Sequence, residues 1–306
     1  MNNGHNGQLI NEVNALRAER NAVILAHYYQ PGEVQDIADY VGDSLQLAQK
    51  AATTNADVIV FCGVYFMAES AAILSPEKIV LLPEPKAGCP MADMADVNDL
   101  RKRKAELPGV KVVCYVNSSA EVKAESDICC TSSNAHKIVE SLADEDILFV
   151  PDENLGKYVA SKAKRHFHLW QGFCPIHHRL HKGDIQKSRM EHPEAKVLVH
   201  PECREEVWRE ADYVGSTAGI IQYAVNSKDK EFIIGTECGI LHELKKRCPD
   251  KTFYMASEFL QCPNMKKTDL QKVRDALFSL SPRVTVSAEV REKAIDALEK
   301  MLAVTK

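Results

Sequence analysis

Three cysteines, each followed directly by proline, recur along the chain at Cys89, Cys174 and Cys262, with gaps of 85 and 88 residues. Each closes a similar passage: a short apolar run at 78–82, 166–170 or 252–256, then a loop, then the Cys-Pro step. Thiolates are ligands for soft metals, and three are one fewer than the closed four-cysteine iron–sulfur sites that only carry electrons. On a cubane cluster three thiolates leave one iron without a protein ligand, and such an open position can act as a Lewis acid. Any one of these cysteines alone reads as an ordinary loop thiol. Their equivalence points to a repeat architecture whose units share one central site.

Other landmarks keep step with the cysteines. Ser44, Ser132 and Thr217 lie 45, 42 and 45 residues before them, and His27, Tyr115 and His200 lie 62, 59 and 62 before them. All six fall at or just after the ends of expected strands. Hydroxyls beside free backbone N–H groups at a helix N-terminus suit carboxylate or phosphate oxygens, although capping is the commoner role for one Ser or Thr. The implied ligand is small and anionic. Tyr29, Tyr115, Asn117, His27 and His200 offer directional hydrogen bonds, and Glu202 beside His200 forms a candidate acid–base pair. The remaining cysteines read as structural. Cys62, Cys114, Cys129 and Cys130 lie in apolar strands as small hydrophobes, Cys238 and Cys248 read likewise, and Cys203 is ambiguous beside His200 and Glu202.

Two competing readings use the same residues. Cys174, His177 and His181 include an i, i+4 histidine pair of the kind that binds zinc on a helix, so a zinc hydrolase is an alternative; it gives Cys89 and Cys262 no role. A non-catalytic iron–sulfur redox sensor is the other, and it gives no role to the Ser/Thr series.

The elements that must position these residues read as alternating strands and helices. Expected strands are 22–26, 58–61, 79–82, 112–116, 128–130, 147–150, 166–170, 197–199, 213–214, 232–234 and 252–256. Expected helices are 8–20, 33–53 with a break at Gly42, 66–74, 99–107, 135–142, 154–165, one opened by 215–219, 239–246 and 288–303. Alternation of this kind implies parallel sheets with ligands at the strand carboxyl ends. The fold class is α/β, with three αβα units at 1–92, 93–178 and 179–306, the last carrying the C-terminal helix.

With 306 residues, 45% hydrophobic and 26% charged, the composition is that of a globular protein. A net charge of -5 argues against a nucleic-acid partner, and no apolar run is long enough for a membrane span. Met1 to Gly7 is polar and reads as a disordered tip, not a secretory signal. Ten cysteines without such a signal imply a reducing compartment, the cytoplasm.

Several runs together resemble the quinolinate synthase family. They are Ile24-Leu-Ala-His27-Tyr-Tyr29-Gln, Gly42-Asp-Ser44-Leu-Gln-Leu-Ala48, Gly88-Cys89-Pro-Met-Ala92, Tyr115-Val-Asn117-Ser, Cys130-Thr-Ser132-Ser-Asn134, Cys174-Pro-Ile-His177, Val199-His200-Pro-Glu202-Cys203, Tyr213-Val-Gly-Ser216-Thr217 and Asn264-Met-Lys-Lys267. The resemblance spans about residues 20–267, in order. It implies three αβα domains about a pseudo-threefold axis and a [4Fe-4S] cluster on Cys89, Cys174 and Cys262 with the fourth iron position open. The implied reaction condenses iminoaspartate with dihydroxyacetone phosphate to quinolinate, a step in NAD synthesis, with the iminoaspartate supplied by an aspartate-oxidising enzyme. Carried over by position, His27, Ser44, Tyr115, Asn117, Ser132, His200, Glu202, Ser216 and Thr217 would hold the substrate. Tyr29, His200 and Glu202 would move protons. Some members place the third ligand in a Cys-x-x-Cys-x-x-Cys run; here Cys262 stands alone, so no disulfide can form within that run.

Overall fold

The structure is a computed structural model that describes the backbone of residues 3–142 and 144–304, with side chains from residue 6. Among the described residues twelve strands form three four-stranded sheets, all parallel. The first sheet holds β1 (Ala22–His27), β2 (Tyr40–Gly42), β3 (Val58–Cys62) and β4 (Ile79–Leu81). The second holds β5 (Lys111–Tyr115), β6 (Ile128–Cys130), β7 (Ile147–Val150) and β8 (His168–Leu169). The third holds β9 (Lys196–Val199), β10 (Tyr213–Val214), β11 (Glu231–Gly235) and β12 (Thr252–Met255). Each sheet has the same order, its second strand outermost, then first, third and fourth. The expected α/β class with three parallel units is what the chain adopts.

The central strands are apolar and β-branched, and β3 and β7 are buried along their whole length. Helices cover both faces, as continuous apolar runs in a parallel sheet require. One aspartate per unit sets the outer edge. The carboxylates of Asp39, Asp127 and Asp212 accept the backbone N–H of Ile24, Val112 and Val197, each at 2.8 Å. The same aspartates donate their own N–H to the carbonyls of those residues.

That contact explains one departure from expectation. Residues 33–53 are not one broken helix: the helix Gly32–Ile37 stops, β2 runs beside β1, and a second helix spans Ser44–Thr53. Asp39 draws the chain alongside Ile24, and Tyr40-Val41 are good strand formers. The strand expected at 166–170 pairs only at His168–Leu169. Two ten-residue helices lie outside the expected set, Lys182–Glu191 and Leu270–Ser279, as do the short helices Pro90–Asp93, Ala120–Ala124 and Glu205–Trp208. Helix Lys182–Glu191 is polar, with only Ile185 and Ser188 buried. Helix Asn3–Glu19 begins inside the stretch expected to be a disordered tip; Met1 and Asn2 lie outside the described residues.

The tail returns to the front of the molecule. Helix Leu270–Ser279 packs on helix Asn3–Glu19, and helix Ala288–Val304 lies against β6 and helices Ala120–Ala124 and Tyr65–Leu74. Ala294, Ala297, Leu298 and Met301 make its buried face. Among the described residues no helix is long and apolar enough to cross a membrane.

Candidate active site

A single backbone hydrogen bond, repeated in each unit, places the three thiols. Tyr65 donates to the carbonyl of Ala87, Glu153 to Gly172 and Cys238 to Leu260, each at 2.8 Å. The donor lies just past the third strand of its unit, and the acceptor lies two residues before Cys89, Cys174 or Cys262. After each cysteine, proline opens a turn: Pro90–Asp93 and Pro175–His178 are short helices, and 263–266 is a turn. Proline has no N–H, so the free donors come from the next residues. The N–H groups of Met91 and Ala92 point to the Cys89 sulfur, that of His177 to Cys174, and those of Asn264 and Met265 to Cys262.

All three cysteines line one cavity of about 630 Å³. So do His27, Tyr29, Ser44, Tyr115, Asn117, Ser132, His200, Glu202 and Thr217. Of the residues expected at the site, only Ser216 is not on the wall. Its hydroxyl accepts the Gly219 N–H and caps the helix Thr217–Asn226. Ser44 is left free for the cavity because Asp43, not Ser44, caps its helix, in a capping box with Gln46. Asn117 Oδ1 is buried with no hydrogen-bond partner, an acceptor that a ligand donor would satisfy.

The strand-end residues fall into equivalent sets. His27 and His200 each accept, at Nδ1, the backbone N–H two residues on, from Tyr29 at 3.1 Å and Glu202 at 3.3 Å. Their protons therefore sit on Nε2, which in His200 lies 3.2 Å from Ser132 Oγ. Burial, ahead of neighbouring charges, lowers both histidines to about 3, so both are neutral donors at neutral pH. Burial opposes ionisation of Glu202, but His200, His177 and the hydrogen bonds from His177 and Tyr115 outweigh it and hold the carboxyl at about 2.

Glu202 ends a continuous chain of side chains. Its Oε1 accepts Tyr115 Oη at 2.7 Å, and its Oε2 lies 2.6 Å from His177 Nδ1. His177 Nε2 meets Thr236 Oγ1 at 2.8 Å, which meets Tyr29 Oη at 2.7 Å, and Thr217 Oγ1 donates to Tyr29 Oη at 2.8 Å. With Glu202 ionised, His177 donates from Nδ1 and accepts at Nε2. The hydroxyls then align in one direction, from Thr217 through Tyr29 and Thr236 to His177. Burial, with Glu202 next, raises both Tyr29 and Tyr115 well above the usual phenol range, so both stay protonated donors. His177 was considered on the sequence only as a zinc ligand, and Thr236 carried no sequence signal.

The zinc pattern is not formed. The helix of His177 ends at His178, and His181 precedes the next helix, exposed and paired with Glu206. A different trio, Cys174, His177 and Glu202, brings ligand-type atoms within 4.8 Å. His177 Nδ1 and Glu202 Oε2 are in direct hydrogen-bond contact, however, which is closer than two ligands at about 2 Å each on a tetrahedral ion would stand. The three thiols on the same cavity are, by the chemistry of their donor atoms, a set for a soft metal group. Burial pushes Cys89 up to about 12, Cys174 well up and Cys262 up. Sulfurs so placed ionise only against a cationic partner, and each already receives backbone N–H donors.

The chain matches the family model described as quinolinate synthetase A protein over residues 11–303. It is 56% identical over 297 residues to the quinolinate synthase of Methanosarcina barkeri, covering 97% of this chain and 98% of that one. The quinolinate synthase of Desulforudis audaxviator gives the same identity and coverage. That of Geobacter sp. (strain M21) is 56% identical over 296 residues, covering 97% of each chain.

Proposed function

Because the chain belongs to the quinolinate synthetase A family, we propose that it condenses iminoaspartate with dihydroxyacetone phosphate to give quinolinate, phosphate and two waters. Carbon–carbon and carbon–nitrogen bonds form, the phosphate ester is lost, and no electron donor or acceptor is needed. Cys89, Cys174 and Cys262 would hold a [4Fe-4S] cluster whose fourth iron has no protein ligand; bound there, it supplies Lewis acidity for loss of water.

The chain's own residues account for the rest. Neutral His27, Ser44 and Ser132, whose hydroxyl receives the His200 proton and is free to pass its own on, would present donors to a small dicarboxylate, Asn117 Oδ1 an open acceptor, and Tyr115 and Thr217, which donate to Glu202 and Tyr29, would shape the wall. Tyr29 stands where a phenol can give or take a proton at the reacting carbons, and Thr236 and His177 pass that proton toward Glu202. The observation that carries this reading is the convergence of three part-buried thiols and the directed hydroxyl chain on one cavity. The relatives' shared name supports the product.

Anaerobic reconstitution with iron and sulfide, followed by assay with both substrates, tests it. The wild-type chain is expected to form quinolinate. Cys89→Ser is expected to lose the cluster absorbance and most of the activity, and Glu202→Gln to lower kcat by about a hundredfold. Full activity of Cys89→Ser without cluster colour overturns the reading.

A further inference from the structure

Two residues past the third strand of each unit stand Val64, Asp152 and Glu237. The repeated bond from Tyr65, Glu153 and Cys238 makes these three positions equivalent. Val64 offers no acceptor. The other two are carboxylates almost completely buried, Asp152 at 0% and Glu237 at 1% exposure. Each divides its two oxygens in the same way. Asp152 Oδ2 accepts the Cys174 N–H at 3.1 Å and Oδ1 the Leu155 N–H at 2.8 Å. Glu237 Oε1 accepts the Cys262 N–H at 3.0 Å and Oε2 the Gly239 N–H at 2.7 Å.

We propose that Asp152 and Glu237 are positioning residues for the second and third thiols, each fixing its cysteine through that cysteine's own backbone N–H, and that Lys266 locks the third. The inference rests on the reading that these thiols hold a cluster. Lys266 Nζ lies 3.0 Å from Glu237 Oε1 and 2.5 Å from the Tyr29 carbonyl oxygen. It therefore ties the Cys262 loop, to which it belongs, to the catalytic tyrosine of the first unit. The Cys262 loop leaves β12 at Met255 and is held to the third unit by the Ala256–Ile234 and Cys238–Leu260 backbone bonds, so Lys266 adds a tie from this loop to a different unit. Asp152 is framed instead by the Asp152–Gly172 bridge, which ties it directly to the loop before its cysteine.

An amide in place of either carboxylate keeps the shape but turns one acceptor into a donor facing an N–H. The test reads each thiol separately. Metal-free Asp152→Asn, Glu237→Gln and Lys266→Met are treated with iodoacetamide and alkylation is followed by mass spectrometry. Asp152→Asn is expected to speed labelling of Cys174 about tenfold, with Cys89 and Cys262 at the wild-type rate. Glu237→Gln and Lys266→Met are expected to do so for Cys262 alone, and Lys266→Arg to restore the wild-type rate. A second arm follows iron release to a chelator from the reconstituted proteins well below their melting points; all three loosening variants are expected to release it about tenfold faster. Equal labelling of all three thiols, or unchanged labelling and release, overturns the inference. Site-selective labelling in a chain whose wild type takes up no iron would sustain the positioning role and sink the cluster instead. Should Asp152→Asn not fold, the Glu237 and Lys266 variants carry the same comparison.

Discussion

Burial fixes the charge state of the two strand-end histidines, and that has a thermodynamic consequence. His27 and His200 titrate near 3 when folded, against about 6.5 unfolded. A group with a depressed folded pKa contributes stability that is complete above its unfolded value and is lost as pH falls toward the folded one. Between pH 7 and pH 5 each histidine is expected to withdraw about 2 kcal/mol. Urea unfolding at pH 7, 6 and 5 checks this, and His27→Gln with His200→Gln should flatten the profile. Glu202 titrates below this window and does not contribute to it. At this scale the sequence was informative about types and poor about partners. The thiols and strand-end polar groups could be picked out because they repeat. Thr236 could not, since its role depends on His177 and Tyr29 arriving from other units. Ser216 matched a motif, yet its hydroxyl is taken by its own helix.

Among the elements, the edge strands show what local propensity misses. β2, β6 and β10 are two or three residues long, and each is led by an aspartate bonded to the strand beside it. Asp39, Asp127 and Asp212 each precede Ser44, Ser132 or Thr217 by five residues, so the signal was there, but a lone aspartate also reads as a loop residue. Asp127→Ala leaves the Val112 N–H without its side-chain acceptor and is expected to lower stability by about 1–3 kcal/mol. A matching loss in Asp212→Ala, measured in the same urea titration, would bear out the equivalence; no change in either would refute it. The core strands needed no such help. Their apolar, β-branched runs suit only a sheet covered on both faces, and they were located to within a residue or two. Leu270, Val273, Ala276 and Leu277 after the Asp269 cap were an equally clear helix signal that had not been singled out.

For the whole molecule, the last helix is the clasp. Its amphipathic pattern was plain in the sequence. Its landing place on β6 and helix Ala120–Ala124 was not, because periodicity says which face is buried and not against what. Leu298 is fully buried there, so Leu298→Ala is expected to cost about 2–5 kcal/mol, read as a lower melting temperature. A change below 0.5 kcal/mol, the range of an ordinary surface substitution, would show that the helix is an appendage. The cavity depends on the assembled units in the same way, since Tyr29, His177 and Glu202 come from three different sheets' ends.

Some equivalent positions carry the same residue in all three units and others do not. Cysteine recurs at 89, 174 and 262, and aspartate at 39, 127 and 212, whereas Tyr115 stands where the other units have His27 and His200, and Tyr29, Asn117 and Glu202 all differ. Three identical walls would treat the head and tail of a reactant the same, and could grip only something that looks alike from every side. Telling one end from the other requires that the copies cease to match, as they do at these inner-wall positions.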